Sequence, residues 1–585
     1  MGNARAPIAR RGWLIAAAAG LVACGRHELP ATSGGGEAPS GANGGRLTIS
    51  LVGSNDLHGR IESLPPFAGY LANLRRARAR DGGAVLLLDA GDMFQGTLAS
   101  NLGEGAAVVR AYNTLGYTAA ALGNHEFDFG PVGPAVTARP GGGDDPRGAL
   151  RARAAEASFP FLDANLIDVA TGAPPAWRNV RPTALVDLVG IKIGIVGVTT
   201  EGTPRTTLAA NFAGLAVKPL AATIAAATAD LHRQGATVVI VAAHAGGVCH
   251  RFDQPEHFES CDADGEIFQV ARDLAAHGGA VDAIVAGHTH EGVAHRVAGI
   301  PIVEAFANGH DFSRIDLTID RASGRALDAH IFAPHRICAP ERCAQESYEG
   351  APVVADPAVA AAIAPALEAA RAQREEQLGP VLPAPIKRAQ KTESPLGNLF
   401  ADLMRAARPG ADVALTNGGS LRTDLPAGPL TYGQLFEALP FDNRFATVSV
   451  GAGELAEMIA RNLGRDNGIL SLSGLRAEAR CAGGELSVKL TRTDGRPIPP
   501  GTHLRLVTSD FLATGGDGLL SDELQRRTTL DEGPPIRDAM ADLLRHGRAL
   551  PRGDDRALYD PARPRLTYPG PRPVRCSSRG PNSPL

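Results

Sequence analysis

The stretch Leu122–Asp128 concentrates side chains that could do chemistry. It reads Leu-Gly-Asn-His-Glu-Phe-Asp and follows an Ala-rich apolar run that begins at Ala119. An amide, an imidazole and two carboxylates directly after such a run are typical of a buried parallel strand that opens into a catalytic loop. Open α/β sheets bind their ligands at the carboxyl ends of strands. An isolated Asn-His-Glu would also fit an ordinary exposed turn, so the interpretation depends on whether other runs end in the same way.

Four further apolar runs end in groups that can bind a metal ion. The residues at these ends are Asp56 and His58, then Asp92, then His244, and finally His288 and His290. A single histidine at a strand end is usually a hydrogen-bonded loop residue. Five ends that together supply oxygen and imidazole donors, with no thiolate, favour a site for divalent Zn, Mn, Co or Fe. At the first end, we expect Asp56 and His58 to point the same way because residues two apart in an extended segment share a face.

The elements that must position these residues alternate along the chain. Between Arg46 and about Asp320, short apolar runs alternate with Ala-rich stretches long enough for helices, which predicts a layered α/β domain. Asp356-Pro357 predicts the capped start of a helix over 356–377, and a second α/β unit follows it. The predicted strands are 47–52, 84–88, 119–122, 191–198, 237–242 and 281–286, and the predicted helices between them include 69–80 and 220–234.

Length, composition and charge restrict the class of protein. The chain has 585 residues, of which 44% are hydrophobic and 21% are charged, so it can bury more than one core. Its formal net charge of -4 provides no basic footprint of the kind that binds nucleic-acid polymers. Such a polymer is therefore disfavoured as a partner.

The N-terminus predicts export. Arginines precede an apolar segment, 13–22, that is too short to span a bilayer and matches a secretory signal. Leu21-Val22-Ala23-Cys24 resembles a bacterial lipobox, which predicts a lipoprotein signal peptide over 1–23 and lipidation of Cys24. Residues 24–45 are rich in Gly, Ser, Ala and Pro and predict a flexible linker. We therefore expect an exported protein that is lipid-anchored to a bacterial membrane and faces the periplasm or the exterior.

Six further cysteines suit an oxidising compartment. None of them has the spacing of a thiolate zinc site, and their number is even. Free thiols in a cytosolic enzyme are the alternative, which the signal segment disfavours. Short separations favour two pairs and leave the last two cysteines for a third, so the predicted disulfides are Cys249 with Cys261, Cys338 with Cys343, and Cys481 with Cys576.

The order of the motifs resembles the calcineurin-like metallophosphoesterases and, more closely, the bacterial and animal 5'-nucleotidase family. The resemblance covers the chain from about Arg46 to Tyr568. It implies that two domains rotate against each other to bring the substrate to the metal ions. The implied organisation is an N-terminal four-layer α/β/β/α metallophosphoesterase domain over 46–345, an interdomain helix or hinge over 351–380, a C-terminal α/β substrate-binding domain over 381–568 and a tail over 569–585.

The resemblance also implies two divalent metal ions and a catalytic pair. His125 and Asp128 match the family's His and Asp three residues apart, in which the aspartate orients the imidazole and supports its protonated form. Two adjacent cations can clamp the attacking and leaving oxygens and lower the pKa of a bound water. The implied ligands are Asp56, His58 and His290 for one ion, Asn124, His244 and His288 for the other, and Asp92 as the bridge between them.

The second domain is expected to select the substrate. Leu415–Arg422 is an apolar run that enters a Gly-Gly turn and ends in a guanidinium, a combination that suits a phosphate or a carboxylate. Phenylalanines beside polar turn residues follow at 441 and 511, where an ordinary core position is the alternative. By resemblance, the substrate-binding residues are Asn417, Gly419 and Arg422 in the turn, Phe441 and Phe511 stacked on a nucleobase, and Asp517 on the ribose hydroxyls.

Three positions depart from the family pattern. Gln390 stands where an arginine that faces the substrate is expected, and Arg388 and Lys391 are nearby replacements in a different register. Asp510 stands where an asparagine that meets the base is common, and His290 replaces an amide found in many close relatives. The preferred base, the number of phosphates accepted and the identity of the metals stay open.

These expectations define a leading function and its alternatives. The leading one is a hydrolase that releases phosphate from 5'-nucleotides, and from nucleoside diphosphate derivatives or sugars, by attack of a metal-bound water. The same architecture serves 2',3'-cyclic phosphodiesterase/3'-nucleotidases and thiosulfohydrolases, and the two phenylalanines favour a nucleoside over a sulfur substrate. A non-catalytic nucleotide-binding surface lipoprotein is the third alternative, which the complete set of ligands and catalytic residues disfavours. The sequence leaves the oligomeric state open.

Overall fold

The structure is a computed structural model that describes residues 45–133, 135–138, 142–279, 281–339, 341–531, 533–547, 556 and 558–576. The predicted signal peptide, Cys24 and the predicted linker up to residue 44 lie outside the described residues, as does the tail beyond Cys576. Within the described ranges, every helix is too short or too polar to serve as a membrane span. The described residues all belong to a single unit, Gly44–Leu585, when the chain is divided by its internal contacts.

The first half of the chain forms two β-sheets that face each other. In the first sheet, Arg46–Ser54 lies parallel to Ala84–Asp89, which in turn lies parallel to Ala119–Ala121. The carboxyl ends of these three strands therefore meet at one edge of the sheet. Its spatial order is Ala326–Ile331, Asp311–Asp320, Arg46–Ser54, Ala84–Asp89, Ala119–Ala121, Phe161–Leu162 and Val180–Arg181, with His335–Arg336 also paired to Asp311–Asp320.

The second sheet has a parallel centre and antiparallel edges. Ile191–Thr199, Val238–His244 and Ala283–Ala286 run parallel at the centre. Its spatial order is Gly292–Val297, Ile300–Ala305, Ala283–Ala286, Val238–His244, Ile191–Thr199 and Thr183–Leu188. All six predicted strands of the two sheets are observed with ends that shift by no more than about two residues, the usual uncertainty of such boundaries. Their near-continuous apolar runs suit strands that are covered on both faces.

Aliphatic side chains fill the space between the two sheets. Leu51 and Leu86 of the first sheet share a cluster with Ile193, Ile240 and Val285 of the second, and none of the five is more than 1% exposed. Helices cover both outer faces, so the predicted four-layer α/β/β/α arrangement is confirmed. The helices are Leu64–Asp81, Ala106–Leu115 and Gly148–Glu156 on the first sheet, and Leu220–Arg233 and Glu266–Ala276 on the second.

The first of these helices begins at Leu64 and not at Gly69, where the sequence predicted its start. Pro65 and Pro66 lie in its first turn, where a missing N–H and a fixed φ are tolerated. Inside the helix, Gly69 allows a close approach of the chain, because a Cβ there would lie 2.4 Å from the carbonyl oxygen of Val354.

A long helix connects the two halves of the chain. The helix predicted over 356–377 is observed as Pro357–Arg374. The Asp356 side chain caps it and accepts two backbone N–H hydrogen bonds, at 2.7 and 3.0 Å. Its buried residues Val359 and Ile363 belong to a core that also contains side chains of both halves.

The second half is built on a mixed five-stranded sheet, which confirms the predicted α/β class. Val413 and Leu415 lie in the core that includes the helix Ala452–Leu463, and Ala414 between them lies in the core that includes the helix Pro395–Ala407. This alternation is that of a strand covered on both faces. The spatial order of the sheet is Leu470–Ser473, Val413–Asn417, His503–Ser509, Phe445–Gly451 and Thr528–Leu530.

Short elements and three disulfides complete the described structure. The disulfides join Cys249 to Cys261, Cys338 to Cys343, and Cys481 to Cys576, the pairing that the sequence favoured. The remaining α-helices are Leu98–Asn101, Thr203–Thr206, Ala209–Phe212, Tyr432–Ala438, Asp510–Ala513, Asp522–Arg526 and Ile536–Arg545. The 3-10 helices are Ile61–Ser63, His125–Phe127, Cys343–Gln345, Gly418–Ser420 and Gly516–Gly518. The remaining strands pair as Leu166–Asp168 with Leu215–Val217, Ser347–Tyr348 with Ala351–Pro352, Gln377–Leu382 with Gly428–Thr431, and Leu475–Ala482 with both Glu485–Arg492 and Leu566–Thr567.

Candidate active site

The predicted metal ligands converge where the carboxyl ends of the parallel strands of both sheets meet. Among the described residues they form two clusters that share Asp92, and within each cluster the potential ligand atoms lie within 4.8 Å of one another. Asn124 joins the second cluster, because its Oδ1 lies 3.1 Å from Nε2 of His244. The first cluster contains Asp56, His58, Asp92 and His290, and the second contains Asp92, His244 and His288.

The backbone is left-handed at five of these residues, which sets the direction of their side chains. The φ angles are 49° at Asp56, 48° at His58, 58° at Asp92, 81° at His288 and 61° at His290. Residues other than glycine seldom adopt such angles, and those that do gather at functional sites. Asp56 and His58 do share a cluster, but the reason that the sequence suggested is wrong. Their backbone is not extended, and tight turns bring the two side chains together.

Backbone carbonyls select the nitrogen that each of two histidines presents to the clusters. Nδ1 of His58 lies 2.7 Å from the carbonyl oxygen of Gln95, and Nδ1 of His244 lies 2.9 Å from that of Ala90. A carbonyl oxygen can only accept, so both Nδ1 atoms carry a proton and donate it. In the neutral rings the Nε2 lone pairs therefore face the clusters, as metal ligands require.

The arrangement of donors fits a divalent cation better than a proton. Nε2 of His244 lies 3.1 Å from Asp92 Oδ2, 3.1 Å from Asn124 Oδ1 and 3.2 Å from His288 Nδ1. One proton on this nitrogen would satisfy one of these neighbours, whereas a cation can be shared by all of them. In the first cluster, the nearest imidazole nitrogen to the buried Oδ1 of Asp56 is Nε2 of His290 at 3.3 Å, and this oxygen makes no hydrogen bond within the described part of the chain. Buried charges of this kind are stable when they are paired or bind a metal.

The second cluster also attracts positive charge. Burial disfavours a charged imidazole, but the Asp92 carboxylate outweighs this effect and raises the pKa of His244 to about 10. Oxygen and imidazole donors suit borderline divalent ions. The residues present therefore fit the two-metal site that the sequence predicted.

Glu126, to which the sequence assigned no task, supports Asp92, the residue that the two clusters share. It is 1% exposed, and its carboxylate accepts hydrogen bonds from the N–H groups of Gly123, Asp92 and Met93 at 2.7, 2.9 and 2.8 Å. Burial raises the pKa of Glu126 to about 8. Its contacts join the loop after Ala84–Asp89 to the loop after Ala119–Ala121.

Glu304, whose role the sequence did not show, hydrogen-bonds to the loops that carry His244, His288 and His290. It is fully buried in Ile300–Ala305 and accepts hydrogen bonds from the Gly247 N–H at 3.1 Å and the Thr289 hydroxyl at 2.6 Å. Thr289 lies between His288 and His290, so Glu304 positions the turn that carries both imidazoles. Only tertiary contact reveals this role, since the sequence around Glu304 is that of an ordinary buried strand.

The predicted catalytic pair lies beside the clusters. Nδ1 of His125 lies 2.6 Å from Oδ2 of Asp128, and the His125 N–H donates to Oδ1 of Asp92 at 2.9 Å. Burial alone would lower the pKa of His125, but the carboxylates of Asp128 and Asp92 more than compensate, and the pKa is raised. Arg422 from the second half places Nη2 2.7 Å from Nε2 of His125. A guanidinium can only donate, so Nε2 of His125 accepts this hydrogen bond, while Asp128 fixes the ring through Nδ1.

A cavity of about 240 Å³ connects these groups with the second half of the chain. Its lining from the first half includes Asp92, Asn124, His125, Asp128, His288 and His290. Every predicted substrate residue lines it as well, namely Asn417, Gly419, Arg422, Phe441, Phe511 and Asp517. The structure thus brings together residues that lie far apart in the sequence.

The Gly-Gly turn of the second half is shaped by a close backbone contact. A Cβ at Gly418 would lie 2.6 Å from the carbonyl oxygen of Gln390, so only glycine fits there. Just before this turn, Asn417 donates through Nδ2 to Oδ2 of Asp517 at 2.7 Å. Burial raises the pKa of Asp517 to about 6. Asn417 and Asp517 thus present one hydrogen-bonding surface to the cavity.

The structure distinguishes the two candidates for the missing arginine. Gln390 itself lines the large cavity. Lys391 is engaged elsewhere, because its ammonium lies 2.6 Å from Oδ1 of Asp466. Arg388 donates to the carbonyl oxygen of Leu421 at 3.2 Å and lines a smaller neighbouring cavity that also contains Arg422. Of the two, only Arg388 lies close to the site.

Residues of the first half contact the loop that carries Phe441. The Phe441 ring lies 5.6 Å from the His125 ring, measured between centroids. The carbonyl oxygen of Pro440 accepts hydrogen bonds from Gln95 at 2.9 Å and from Asn101 at 3.2 Å. Sequence reasoning missed both donors, because their partner is a backbone atom more than 300 residues away.

Comparisons with known proteins agree with this geometry. The family model of calcineurin-like phosphoesterases matches residues 51–292, and that of the 5'-nucleotidase C-terminal domain matches residues 372–522. Protein UshA of Yersinia enterocolitica is 26% identical over 504 residues, which cover 80% of this chain and 86% of that protein.

Two solved structures share the fold. A 5'-nucleotidase precursor from Thermus thermophilus has a TM-score of 0.68 at 24% identity, covering 89% of this chain and 99% of that one. The sulfate thiohydrolase SoxB of Thermus thermophilus has a TM-score of 0.67 at 16% identity, covering 92% and 99%. With both family models matched in order and the metal clusters formed, the chain belongs to the 5'-nucleotidase family of calcineurin-like metallophosphoesterases and is a metal-dependent phosphoester hydrolase.

Proposed function

We propose that this protein is an exported, lipid-anchored hydrolase that releases phosphate from 5'-nucleotides with the help of two divalent metal ions. The observation that carries the proposal is the composition of the large cavity. Candidate metal ligands, the His125–Asp128 pair and two phenylalanines line the same space. A nucleotide has parts that match each group: a phosphate for the cations and guanidinium, a ribose for Asp517 and a base for the aromatic rings.

In this proposal, each residue has a defined task. Asp56, His58 and His290 would hold one ion, Asn124, His244 and His288 would hold the other, and Asp92 would contribute to both sites. When bound, the ions neutralise phosphoryl charge and activate a water molecule. The tasks of the other side chains follow from their places in the cavity.

Arg422 donates to the phosphoryl oxygens, since its guanidinium lies beside His125. Once a phosphoryl oxygen replaces Nε2 of His125 as the acceptor for Arg422, this nitrogen can take up a proton that stabilises the developing charge, and Asp128 fixes the ring. Phe441 and Phe511 stack on the base, and Asp517 accepts hydrogen bonds from the ribose hydroxyls. Asn417 keeps the Asp517 carboxylate in place. Gly419 leaves the floor of the cavity open to the ligand.

The proposed export rests on the N-terminal segment and on the cysteines. All six cysteines of the described residues are paired, which suits an oxidising compartment.

Partition into detergent should test the anchor. The full chain made in a bacterial host should enter the detergent phase, and Cys24→Ala should stay in the aqueous phase. Equal partition of the two proteins would refute lipidation at Cys24.

A substrate panel tests the proposed activity. Phosphate release from the protein beginning at Gly45 would be measured with 5'-AMP, 3'-AMP, 2',3'-cyclic AMP, ATP, UDP-glucose and bis-p-nitrophenyl phosphate, with Mn, Zn or Co added. We expect a strong preference for 5'-nucleotides. Release from the cyclic or generic diester alone would keep the metal site and overturn the nucleotidase proposal. No release with any metal would favour a binding protein or a thiosulfate substrate.

Selectivity for nucleotides is expected to fall below about pH 6. Burial raises the pKa of Asp517 to about 6, so its carboxylate accepts hydrogen bonds above that pH and loses an acceptor below it. The ratio of kcat/KM for 5'-AMP to that for ethyl phosphate should decrease as the pH is lowered. Both substrates are alkyl phosphate monoesters that ionise in the same range, so titration of the substrate phosphate and of the metal site cancels in the ratio. Asp517→Asn should give a lower ratio that no longer depends on pH. An unchanged pH dependence in this variant would exclude Asp517 as its source.

A further inference from the structure

The loop Leu439–Asn443 places Phe441 in the cavity wall. One helix contacts this loop on the side away from the cavity. Ile536–Arg545 begins directly against this loop, where the N–H of Ile536 donates to the carbonyl oxygen of Asn443 at 2.8 Å. The next residue, Arg537, is 3% exposed and turns its guanidinium toward the loop. Neither residue lines the cavity.

All three guanidinium nitrogens of Arg537 donate hydrogen bonds, to this loop and to Tyr432. Nη1 donates to the carbonyl oxygens of Leu439 at 3.4 Å and Phe441 at 3.1 Å, and Nη2 donates to Oδ1 of Asp442 at 2.5 Å. Nε donates to the Tyr432 hydroxyl at 3.1 Å. A planar fork with several donors in fixed directions can hold several acceptors at once, which a lysine ammonium cannot reproduce.

The surroundings of Arg537 fix its own position. Its guanidinium carbon lies 4.1 Å from the centre of the Phe436 ring. The Tyr432 hydroxyl, which accepts from Nε, donates to Oδ1 of Asp538 at 2.5 Å. Asp442 and Asp538 supply negative charge on two sides, so the buried cation is compensated and hydrogen-bonded. These contacts fix the guanidinium in place, and its hydrogen bonds to the loop therefore fix the loop as well.

We infer that Arg537 is a positioning residue that sets nucleobase recognition by holding the main chain of Phe441 from behind the cavity. The inference rests on the proposed function, in which Phe441 stacks on the base. From the other side, Gln95 and Asn101 hold Pro440 only while the two halves are in contact. Arg537 belongs to the same half as the loop and keeps it in place whether or not the halves touch.

The test compares 5'-AMP with ribose 5-phosphate, which keeps the phosphate and sugar and lacks the base. Arg537→Gln should raise KM for 5'-AMP, and its Kd from calorimetric titration, by about tenfold, the scale of one lost base–aromatic stack. For ribose 5-phosphate, kcat/KM should stay within about twofold, since the metal site and Arg422 are unchanged. A merely structural role would lower the activity toward both substrates together.

Two further variants keep the test decisive if Arg537→Gln folds poorly. Tyr432→Phe removes one acceptor of the guanidinium and should raise KM for 5'-AMP alone, by a smaller factor. Arg527→Gln removes an arginine of the same half that pairs with Glu454 and does not contact Tyr432 or the loop, and it should change kcat/KM for neither substrate. If the parent protein does not distinguish the two substrates, the proposed base clamp itself fails. If the parent protein does distinguish them, the ratio of their kcat/KM values measures its preference for 5'-AMP over ribose 5-phosphate. If Arg537→Gln and Tyr432→Phe both keep that ratio, the role of Arg537 is refuted.

Discussion

Replacing His125 with asparagine is expected to lower turnover of 5'-AMP by about 10²- to 10⁴-fold, the range typical of a lost general acid or base. Metal content should stay unchanged, because the side chain of His125 belongs to neither cluster and its N–H, which asparagine retains, holds Asp92. Binding of the nucleotide should weaken only slightly, since the base and ribose contacts lie in the second half. Metal analysis, calorimetric titration with 5'-AMP and phosphate release would measure the three quantities.

His250→Asn provides a matched control for that experiment. His250 is exposed and follows shortly after His244, so the same substitution is made near the site without touching the cavity lining. We expect its turnover to equal that of the parent protein. Survival of turnover in His125→Asn would show that the proton is handled by another group. Loss of metal from that variant would show that His125 is a ligand.

Asp92→Asn is expected to empty both metal clusters and to reduce turnover by at least about 10³-fold, because metal ions contribute several kcal/mol to such reactions. Asp92 Oδ2 lies 3.1 Å from Nε2 of His244 and 3.9 Å from Nε2 of His58, so it reaches both clusters. Asparagine keeps the shape and the contact to the His125 N–H but removes the charge. The number of metal ions per chain should be measured by elemental analysis after dialysis against each metal.

Asp89→Asn is the matched control for the loss of charge. Asp89 is also buried at the end of the same strand, but its carboxylate accepts hydrogen bonds from Ser54 and Tyr112 and lies in neither cluster. Asparagine keeps an oxygen for the Gly91 N–H, which donates to Oδ1 of Asp89 at 2.8 Å, and the hydroxyls of Ser54 and Tyr112 can turn to accept from its amide. Its metal content should equal that of the parent protein. Full metal occupancy in Asp92→Asn would rule out a bridging carboxylate at this position.

The strand pattern is accessible from the sequence because it depends on local periodicity. Apolar runs such as 191–198 and 237–242 are long enough to be strands and end in polar groups at the edge that parallel strands share. Five such ends can therefore be assigned to one site from their residue types and spacing alone. The resemblance to a family supplies what periodicity does not carry, namely which ligand belongs to which metal ion.

The supporting residues could not be predicted, because their roles depend on contacts between distant segments. Glu304 looks like an unremarkable acid in the sequence, and Glu126 stands in the polar stretch after Ala119–Ala121 without an assigned task. Only folding shows that backbone N–H groups of other loops surround both carboxylates. Arg537 precedes an acidic residue on an amphipathic helix, a common surface pattern, yet it is almost fully buried. Left-handed turns at Asp56 and His58 were equally hidden, since φ above zero is rare outside glycine.

The three disulfides have a practical consequence for testing whether the two halves rotate against each other, as the sequence predicts. The chain has seven cysteines, and six of them are paired in the described residues, which leaves Cys24, outside those residues. A protein that begins at Gly45 therefore offers no competing thiol to a spectroscopic label. Leu102 in the metal-binding half and Leu530 in the other half are 53% and 51% exposed and can each be replaced by cysteine. A pair of labels at these positions would report the distance between the halves in solution as substrate is added.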